Sequence, residues 1–103
     1  KKNMIKINGV SIYLEDIENT LVKNKLINDC VARPVDFKDK INPRICVIYQ
    51  GSKTISSLRN YCFKNLSVMQ IPSYYLKVKL IPRNKMGKLN TKLVNTMIQR
   101  KIN

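Results

Sequence analysis

The chain has 103 residues, of which 44% are hydrophobic, and a formal net charge of +14 at pH 7. This length allows one domain, and the sequence contains neither an apolar run long enough to span a membrane nor a secretory signal pattern. The charge makes nucleic acid a candidate partner. However, the basic residues are spread along the chain, without a run of five, and no nucleic-acid-binding motif is found. A solvated lysine-rich surface is therefore the preferred interpretation.

The three cysteines are predicted to be buried thiols. Cys30, Cys46 and Cys62 all fall in apolar stretches, and their number is odd. The chain has no histidine and no C-x-x-C spacing, so neither a disulfide framework nor a metal site is indicated. Buried thiols are typical of a reducing compartment, and we expect a cytoplasmic protein.

The first 25 residues predict a hairpin and a helix. Residues 4–7 and 10–13 alternate in polarity, and Asn8-Gly9 between them indicates a type I′ turn. A helix is predicted over 15–25, with Glu15, Asp16 and Glu18 in its first turn and Lys23 and Lys25 in its last. The acids are explained by the helix dipole, and no catalysis is assigned to them.

The middle of the chain predicts a small sheet. Strands are expected near residues 30–33 and 45–49, with a polar turn over 36–43. Ser52 or Thr54 can cap a second helix. A third strand over 75–81 would place Leu76, Val78 and Leu80 on one face and end at Pro82. The predicted fold class is α+β, an N-terminal β-hairpin plus a small three-stranded sheet flanked by about three helices.

A lysine loop follows the third strand. Gly87 stands where a tight turn needs positive φ, and Lys88 follows it directly. Asn90 or Thr91 can cap a last helix, whose apolar positions are Leu93, Val94, Met97 and Ile98. An ammonium on a flexible stem, in a mobile surface loop, suits phosphate oxygens. Lys88 is therefore a candidate anion-binding residue.

Three blocks resemble, in order, motifs of the C-terminal subdomain of the adenylate-forming ligase superfamily. That superfamily holds acyl-CoA synthetases, nonribosomal peptide synthetase adenylation domains, D-alanine–carrier protein ligases and firefly luciferase. The blocks are M-I-K-I-N-G-V-S-I-Y-L-E-D-I-E (4–18), L-S-V-M-Q-I-P-S-Y-Y (66–75) and P-R-N-K-M-G-K-L-N (82–90). Asn90 and Thr91 stand where the family has Asp and Arg, and Ser67 replaces a proline.

The resemblance implies that the chain, residues 1–103, is a lid subdomain beginning at an interdomain hinge. It implies that Lys88 serves adenylation, with Gly87 and Lys85 in the same nucleotide and substrate loop. It also implies that Lys2 lies at the hinge and that Gly9 lies on the thiol-acceptor face.

ATP and Mg²⁺ would be bound mainly by a large N-terminal adenylation domain. The acceptor would be CoA or the phosphopantetheine of a carrier protein, with no membrane partner. The chain has no P-loop or other nucleotide-binding motif of its own, so we expect it to be inactive alone. L-E-D-I-E (14–18) is closer to amino-acid-activating members than to many acyl-CoA synthetases.

Two alternatives remain open from the residues alone. A basic nucleic-acid-binding module would be favoured if the positive charges gathered on one face of the fold. A non-catalytic interaction domain is compatible with the departures at Asn90 and Thr91.

Overall fold

The computed structural model describes residues 3–36 and 42–102, which form two small sheets and three α-helices. The elements in chain order are β1 (Met4–Ile7), β2 (Val10–Tyr13), α1 (Leu14–Val22), β3 (Ile27–Val35), β4 (Arg44–Gly51), α2 (Ile55–Asn65), a short 3-10 helix (Val68–Gln70), β5 (Tyr74–Lys77) and α3 (Thr91–Ile102). Strands β1 and β2 form one sheet, and the other has the order β3-β4-β5. The predicted α+β class is therefore confirmed. Most of the turn predicted over 36–43 lies outside the described residues.

The β1–β2 hairpin has the predicted turn. Asn8 has φ +51° and Gly9 has φ +80°, the two positive values that a two-residue type I′ turn requires. Asn8 N donates to Asn42 Oδ1 (3.1 Å), and Asn42 Nδ2 donates to Asn8 Oδ1 (2.8 Å). This pair ties the hairpin tip to the segment that leads into β4.

Strand β4 is the centre of the molecule. It pairs antiparallel with β3 and parallel with β5, and all five residues from Ile45 to Tyr49 are buried. Val47 and Tyr49 belong to the apolar cluster that includes residues of α1 and α2. Cys46 and Ile48 belong to a second cluster with residues of α3. Because side chains alternate along a strand, helices cover both faces of this sheet.

The third strand is shorter than predicted. Strand β5 ends at Lys77, and Leu80, expected on the buried face, is 75% exposed, whereas Ile81 is buried. The parallel ladder stops at the pair Tyr49–Lys77, two residues before β4 ends at Gly51. The Gln50 side chain then accepts a hydrogen bond from Ile81 N (2.6 Å). This bond turns the chain so that Ile81, and not Leu80, enters the core.

Helix α1 is also shorter than the prediction of 15–25. It ends at Val22, with Lys23 as its C-cap, so the expected basic residues in its last turn are absent and that prediction was wrong. Asn24 ends the helix by forming a turn, in which its carbonyl accepts from Ile27 N (3.0 Å) and its side chain from Leu26 N (2.9 Å). The turn starts β3 at Ile27.

The caps of the other two helices were among those predicted. Thr54 caps α2, its side chain accepting from Ser57 N (3.2 Å). The Asn90 side chain accepts from Leu93 N (3.1 Å) at the start of α3. Residue 90 thus fixes where the lysine loop ends and the last helix begins.

Candidate functional site

The segment over 82–90 is a closed loop with its own backbone hydrogen bonds. Asn90 N donates to the Pro82 carbonyl (2.9 Å), and Arg83 and Leu89 form an antiparallel bridge. Nearer the tip, Asn84 N donates to the Lys88 carbonyl (2.9 Å). The sequence predicted a mobile loop here. The structure instead has a small hairpin-like loop whose backbone donors and acceptors are largely paired with each other.

Asn84 organises the tip of this loop. Its Oδ1 accepts from Met86 N (2.9 Å) and from Lys88 N (3.0 Å), and its carbonyl accepts from Gly87 N (2.9 Å). Gly87 has φ +85°, and a Cβ placed there would have no atom within 4 Å. The glycine is therefore required for its backbone conformation and not for space, as predicted. An asparagine shortly before a glycine is a turn signal that could have indicated this role.

Arg83 joins the loop to the sheet. Its Nε donates to Asp29 Oδ2 (2.9 Å) and its Nη2 to Asp29 Oδ1 (3.1 Å), and its Nη1 donates to the Gly87 carbonyl (3.1 Å). Asp29 lies on β3, 54 residues earlier in the chain. Sequence reasoning missed this contact, because no local pattern links an acid on one strand to an arginine that far away.

Lys88 lies exposed beside a shallow cleft of about 450 Å³, lined by Pro82, Arg83, Asn84, Lys88, Leu89, Asn90 and Leu93. The ammonium forms no ion pair with the described residues. Lys85 is exposed on the same loop but does not line this cleft. Lys88 therefore lies on the surface, as the sequence predicted. An anion entering the cleft would meet this lysine.

The other residues that the sequence singled out lie elsewhere. Gly9 is at the tip of the hairpin, in the other sheet, and does not line the cleft beside Lys88. A Cβ at Gly9 would have nothing within 4 Å, so its surroundings are open. Lys2 falls outside the described residues. The structure therefore brings together Lys85, Gly87 and Lys88, and it does not place Gly9 with them.

The cysteines are buried free thiols, as predicted. Burial, aided by the nearby Glu18 carboxylate, raises the pKa of Cys30 to about 12, and burial raises the pKa of Cys46 to about 11. Both thiols therefore stay protonated near neutral pH and are poor nucleophiles.

Residues 3–36 and 42–102 also bear on metal binding and on membranes. In these ranges no group of three or more metal-binding side chains comes together. Nor does any helix there have the length and apolar character needed to cross a bilayer.

Comparison with known proteins gives several sequence relatives. A stretch of "Gramicidin S synthase 2" from Brevibacillus brevis is 32% identical over 88 residues, which cover 84% of this chain and 2% of that protein. "Crotonobetaine/carnitine–CoA ligase" from Escherichia coli is 32% identical over 92 residues, covering 84% of this chain and 17% of the ligase. No family model matches. The chain thus spans only a small part of the curated relatives it matches.

Solved structures share the fold. The "Mycobacterium tuberculosis fatty acyl CoA synthetase" superposes with a TM-score of 0.78 at 18% identity, over 91% of this chain and 19% of that one. NpsA of Klebsiella oxytoca, in complex with 3-hydroxyanthranilyl-AMSN, gives a TM-score of 0.78 at 20% identity, over 92% and 19%. Sequence relatives and fold agree with the three motif blocks. The chain belongs to the adenylate-forming (AMP-binding) ligase superfamily, as the C-terminal subdomain of its members.

Proposed function

We propose that this chain is the lid subdomain of an AMP-forming acid–thiol ligase and that Lys88 is its adenylation lysine. The observation that carries the proposal is an exposed ammonium, outside any ion pair of the described residues, on a loop whose backbone is closed by hydrogen bonds. The complete enzyme would consist of this subdomain and a large domain that binds most of the ATP and the acid. We place it in the cytoplasm, in keeping with three buried free thiols.

The first half-reaction joins two anions. A carboxylate oxygen of the acid attacks the α-phosphorus of ATP, the new acyl–phosphate bond forms, and the bond to pyrophosphate breaks. The carboxylate and the phosphate repel each other, and negative charge on the phosphoryl oxygens must be stabilised in the transition state. A positioned ammonium such as that of Lys88 supplies this stabilisation, and one donor of this kind is typically worth about 3 kcal/mol.

The second half-reaction uses another face of the same subdomain. A pantetheine thiol attacks the acyl carbonyl, the thioester forms and AMP leaves. We propose that the lid first rotates about a hinge at Lys2, which carries Lys88 away and turns the hairpin with Gly9 toward the thiol. The open surroundings of Gly9 support this role, since no described side chain crowds its backbone.

We propose that the pocket that chooses the acid belongs to the large domain. L-E-D-I-E (14–18) favours an amino acid delivered to a carrier protein, and the alternative is an acyl group delivered to CoA. The named relatives include gramicidin S synthases and a CoA ligase, so they are compatible with both.

Lys88→Ala in the complete enzyme tests the proposal. The rate of adenylate formation, measured by pyrophosphate exchange, should fall by about 10²–10³-fold, because this is the usual effect of removing one electrostatic donor. Thioester formation from supplied acyl-adenylate should survive, because the loop has then left the nucleotide. Folding should change little, since surface substitutions usually alter stability by no more than about 0.5 kcal/mol.

Lys85→Ala is the matched control. It removes the same charge from the same loop, but Lys85 does not line the cleft. If both variants slow adenylation equally, the loop contributes only diffuse positive potential, and the assignment of one lysine is wrong.

A further inference from the structure

The peptide unit that joins Gly87 to Lys88 is held at both of its polar atoms. Its carbonyl oxygen accepts from Arg83 Nη1 (3.1 Å), and its N–H donates to Asn84 Oδ1 (3.0 Å). The carbonyl of Lys88 itself accepts from Asn84 N (2.9 Å). The backbone of Lys88 is therefore fixed at three points, while its side chain is exposed at the cleft.

The guanidinium that holds this unit is itself anchored in the sheet. Two of its nitrogens donate hydrogen bonds to the two carboxylate oxygens of Asp29. Asp29 lies on β3 beside an irregularity, where the register with β4 shifts between Ile27 and Asp29. Because bulges re-aim side chains, this irregularity offers a reason why the acid reaches the loop. The Arg83 guanidinium thus connects the core sheet to the Gly87 carbonyl, which directly precedes Lys88.

Stability is a weak explanation for this pair. The two side chains remain 33% and 31% exposed, and ion pairs at that exposure contribute only about 0–1 kcal/mol. If Arg83 served only to pair with Asp29, it would not need its third contact, the hydrogen bond to the Gly87 carbonyl. A lysine at position 83 could pair with Asp29, but it lacks the planar fork that serves a carboxylate and a carbonyl at the same time.

We propose that Asp29 and Arg83 are positioning residues for adenylation, which together set the direction in which the Lys88 side chain leaves the loop. This inference rests on the proposed function of Lys88. Asp29 orients the Arg83 guanidinium, and the guanidinium fixes the Gly87 carbonyl. The fixed peptide unit then directs the Lys88 ammonium toward the negative charge that develops on the phosphoryl oxygens. Misplacing a catalytic group by about 1 Å can cost about 10²-fold in rate.

Asp29→Asn and Arg83→Lys, each in the complete enzyme, are the test variants. The kcat of adenylate formation should fall by about 10²-fold, with a smaller change in KM for ATP and unchanged thioester formation from supplied acyl-adenylate. Asp16→Asn and Arg100→Lys make the same chemical changes at exposed positions of α1 and α3 and should leave all three quantities at wild-type values. The melting temperatures of the test variants should differ from wild type no more than those of these controls.

A charge swap distinguishes a role in positioning Lys88 from the effect of an ion pair alone. Asp29→Arg combined with Arg83→Asp keeps opposite charges in place, but an aspartate at position 83 cannot donate to the Gly87 carbonyl. We expect the swap to leave adenylation slow. Recovery of the wild-type rate would show that an ion pair suffices, and it would overturn the positioning role.

The Lys88→Ala background distinguishes failure of this inference from failure of the proposed function. Adding Asp29→Asn to Lys88→Ala should cause no further loss, because no ammonium remains to be aimed. A multiplied loss in the double variant would show that Asp29 acts independently of Lys88. If Lys88→Ala alone leaves adenylation intact, the proposed function fails. If Lys88→Ala is slow while Asp29→Asn and Arg83→Lys match their controls, only the positioning inference is overturned.

Discussion

At the scale of single residues, Glu18 has a role that differs from the dipole role inferred from the sequence. It lies beyond the first turn of α1, and its Oε2 accepts a hydrogen bond from Ala32 N on β3 (2.8 Å). Strand β3 is an edge strand, and edge strands present unpaired backbone donors. Burial raises the pKa of the Glu18 carboxyl, although the hydrogen bond from Ala32 acts in the opposite direction.

This shift predicts a pH-dependent effect of Glu18→Gln. A raised pKa in the folded state means that the native chain binds the proton more tightly than the unfolded chain, so ionisation of Glu18 lowers stability as the pH rises above its ordinary value of 4.5. Glutamine keeps an oxygen acceptor for Ala32 N and never ionises. The stability gained by the variant should therefore be near zero below pH 4.5 and should grow as the pH rises through the raised pKa.

Urea unfolding of the chain between pH 4 and pH 7 measures this difference. Asn19→Gln is the control on the same helix, since neither of its side chains titrates. A stability difference between Glu18→Gln and wild type that stays constant with pH, or that is largest at low pH, would contradict the account of Glu18.

At the scale of elements, the lysine loop is defined by hydrogen bonds and not by burial. Arg83, Asn84, Met86 and Lys88 are exposed, whereas Ile81 before the loop and Val94 after it are buried. The loop is therefore anchored in the core at both ends and closed in between by polar contacts. This combination keeps the backbone in one conformation and leaves the side chains at the tip accessible.

Asn84→Ala should disorder the loop tip with little loss of global stability. The substitution removes the acceptor for the amides of Met86 and Lys88. Each such bond contributes about 0.5–1.5 kcal/mol net, and here water can replace it. The observable result should be faster hydrogen exchange at these two amides, with unchanged protection in β4.

Asn84→Asp keeps an oxygen acceptor and should restore slow exchange. Asn95→Ala, at an exposed position of α3, is the control for loss of an asparagine. Unchanged exchange at Met86 and Lys88 in Asn84→Ala would show that the backbone bonds alone hold the tip.

At the scale of the whole molecule, the charge of +14 is the dominant property. Of the six acids, Asp29 pairs with Arg83 and Glu18 binds a backbone amide. Some cations are also engaged locally, since Arg59 lies 5.0 Å from the ring centre of Tyr75 and Lys53 lies 5.8 Å from that of Tyr61. Along the sequence the basic residues are spread out, without a run of five.

A distributed charge predicts weak and sequence-blind binding to nucleic acids. Because phosphate contacts release counterions, such binding should collapse between low salt and about 200 mM salt. Fluorescence anisotropy with a DNA duplex and a single-stranded RNA at several salt concentrations measures this. Tight binding that persists at about 200 mM salt would instead favour the nucleic-acid-binding alternative.

Local patterns were enough to predict much of this protein. The Asn8-Gly9 turn, the Thr54 and Asn90 caps and positive φ at Gly87 depend on residues within a few positions of each other, so their chemistry can be recognised in the sequence. The apolar run over 45–49 likewise predicted a strand, and the structure places that strand at the centre of the sheet. The exposed position of Lys88 follows from the glycine turn before it, while its catalytic role stays a prediction.

Contacts between distant segments were decided only by the tertiary structure. Strand β5 ends at Lys77, opposite Tyr49, and Ile81 N then donates to the side chain of Gln50, so that Ile81 is buried in place of Leu80. The Asp29–Arg83 pair joins residues 54 positions apart, so no local sequence pattern around either residue predicts the contact. Periodicity and turn chemistry report the preferences of a short segment. The pairing of strands and the anchoring of the lysine loop depend instead on which surfaces meet after the chain has folded.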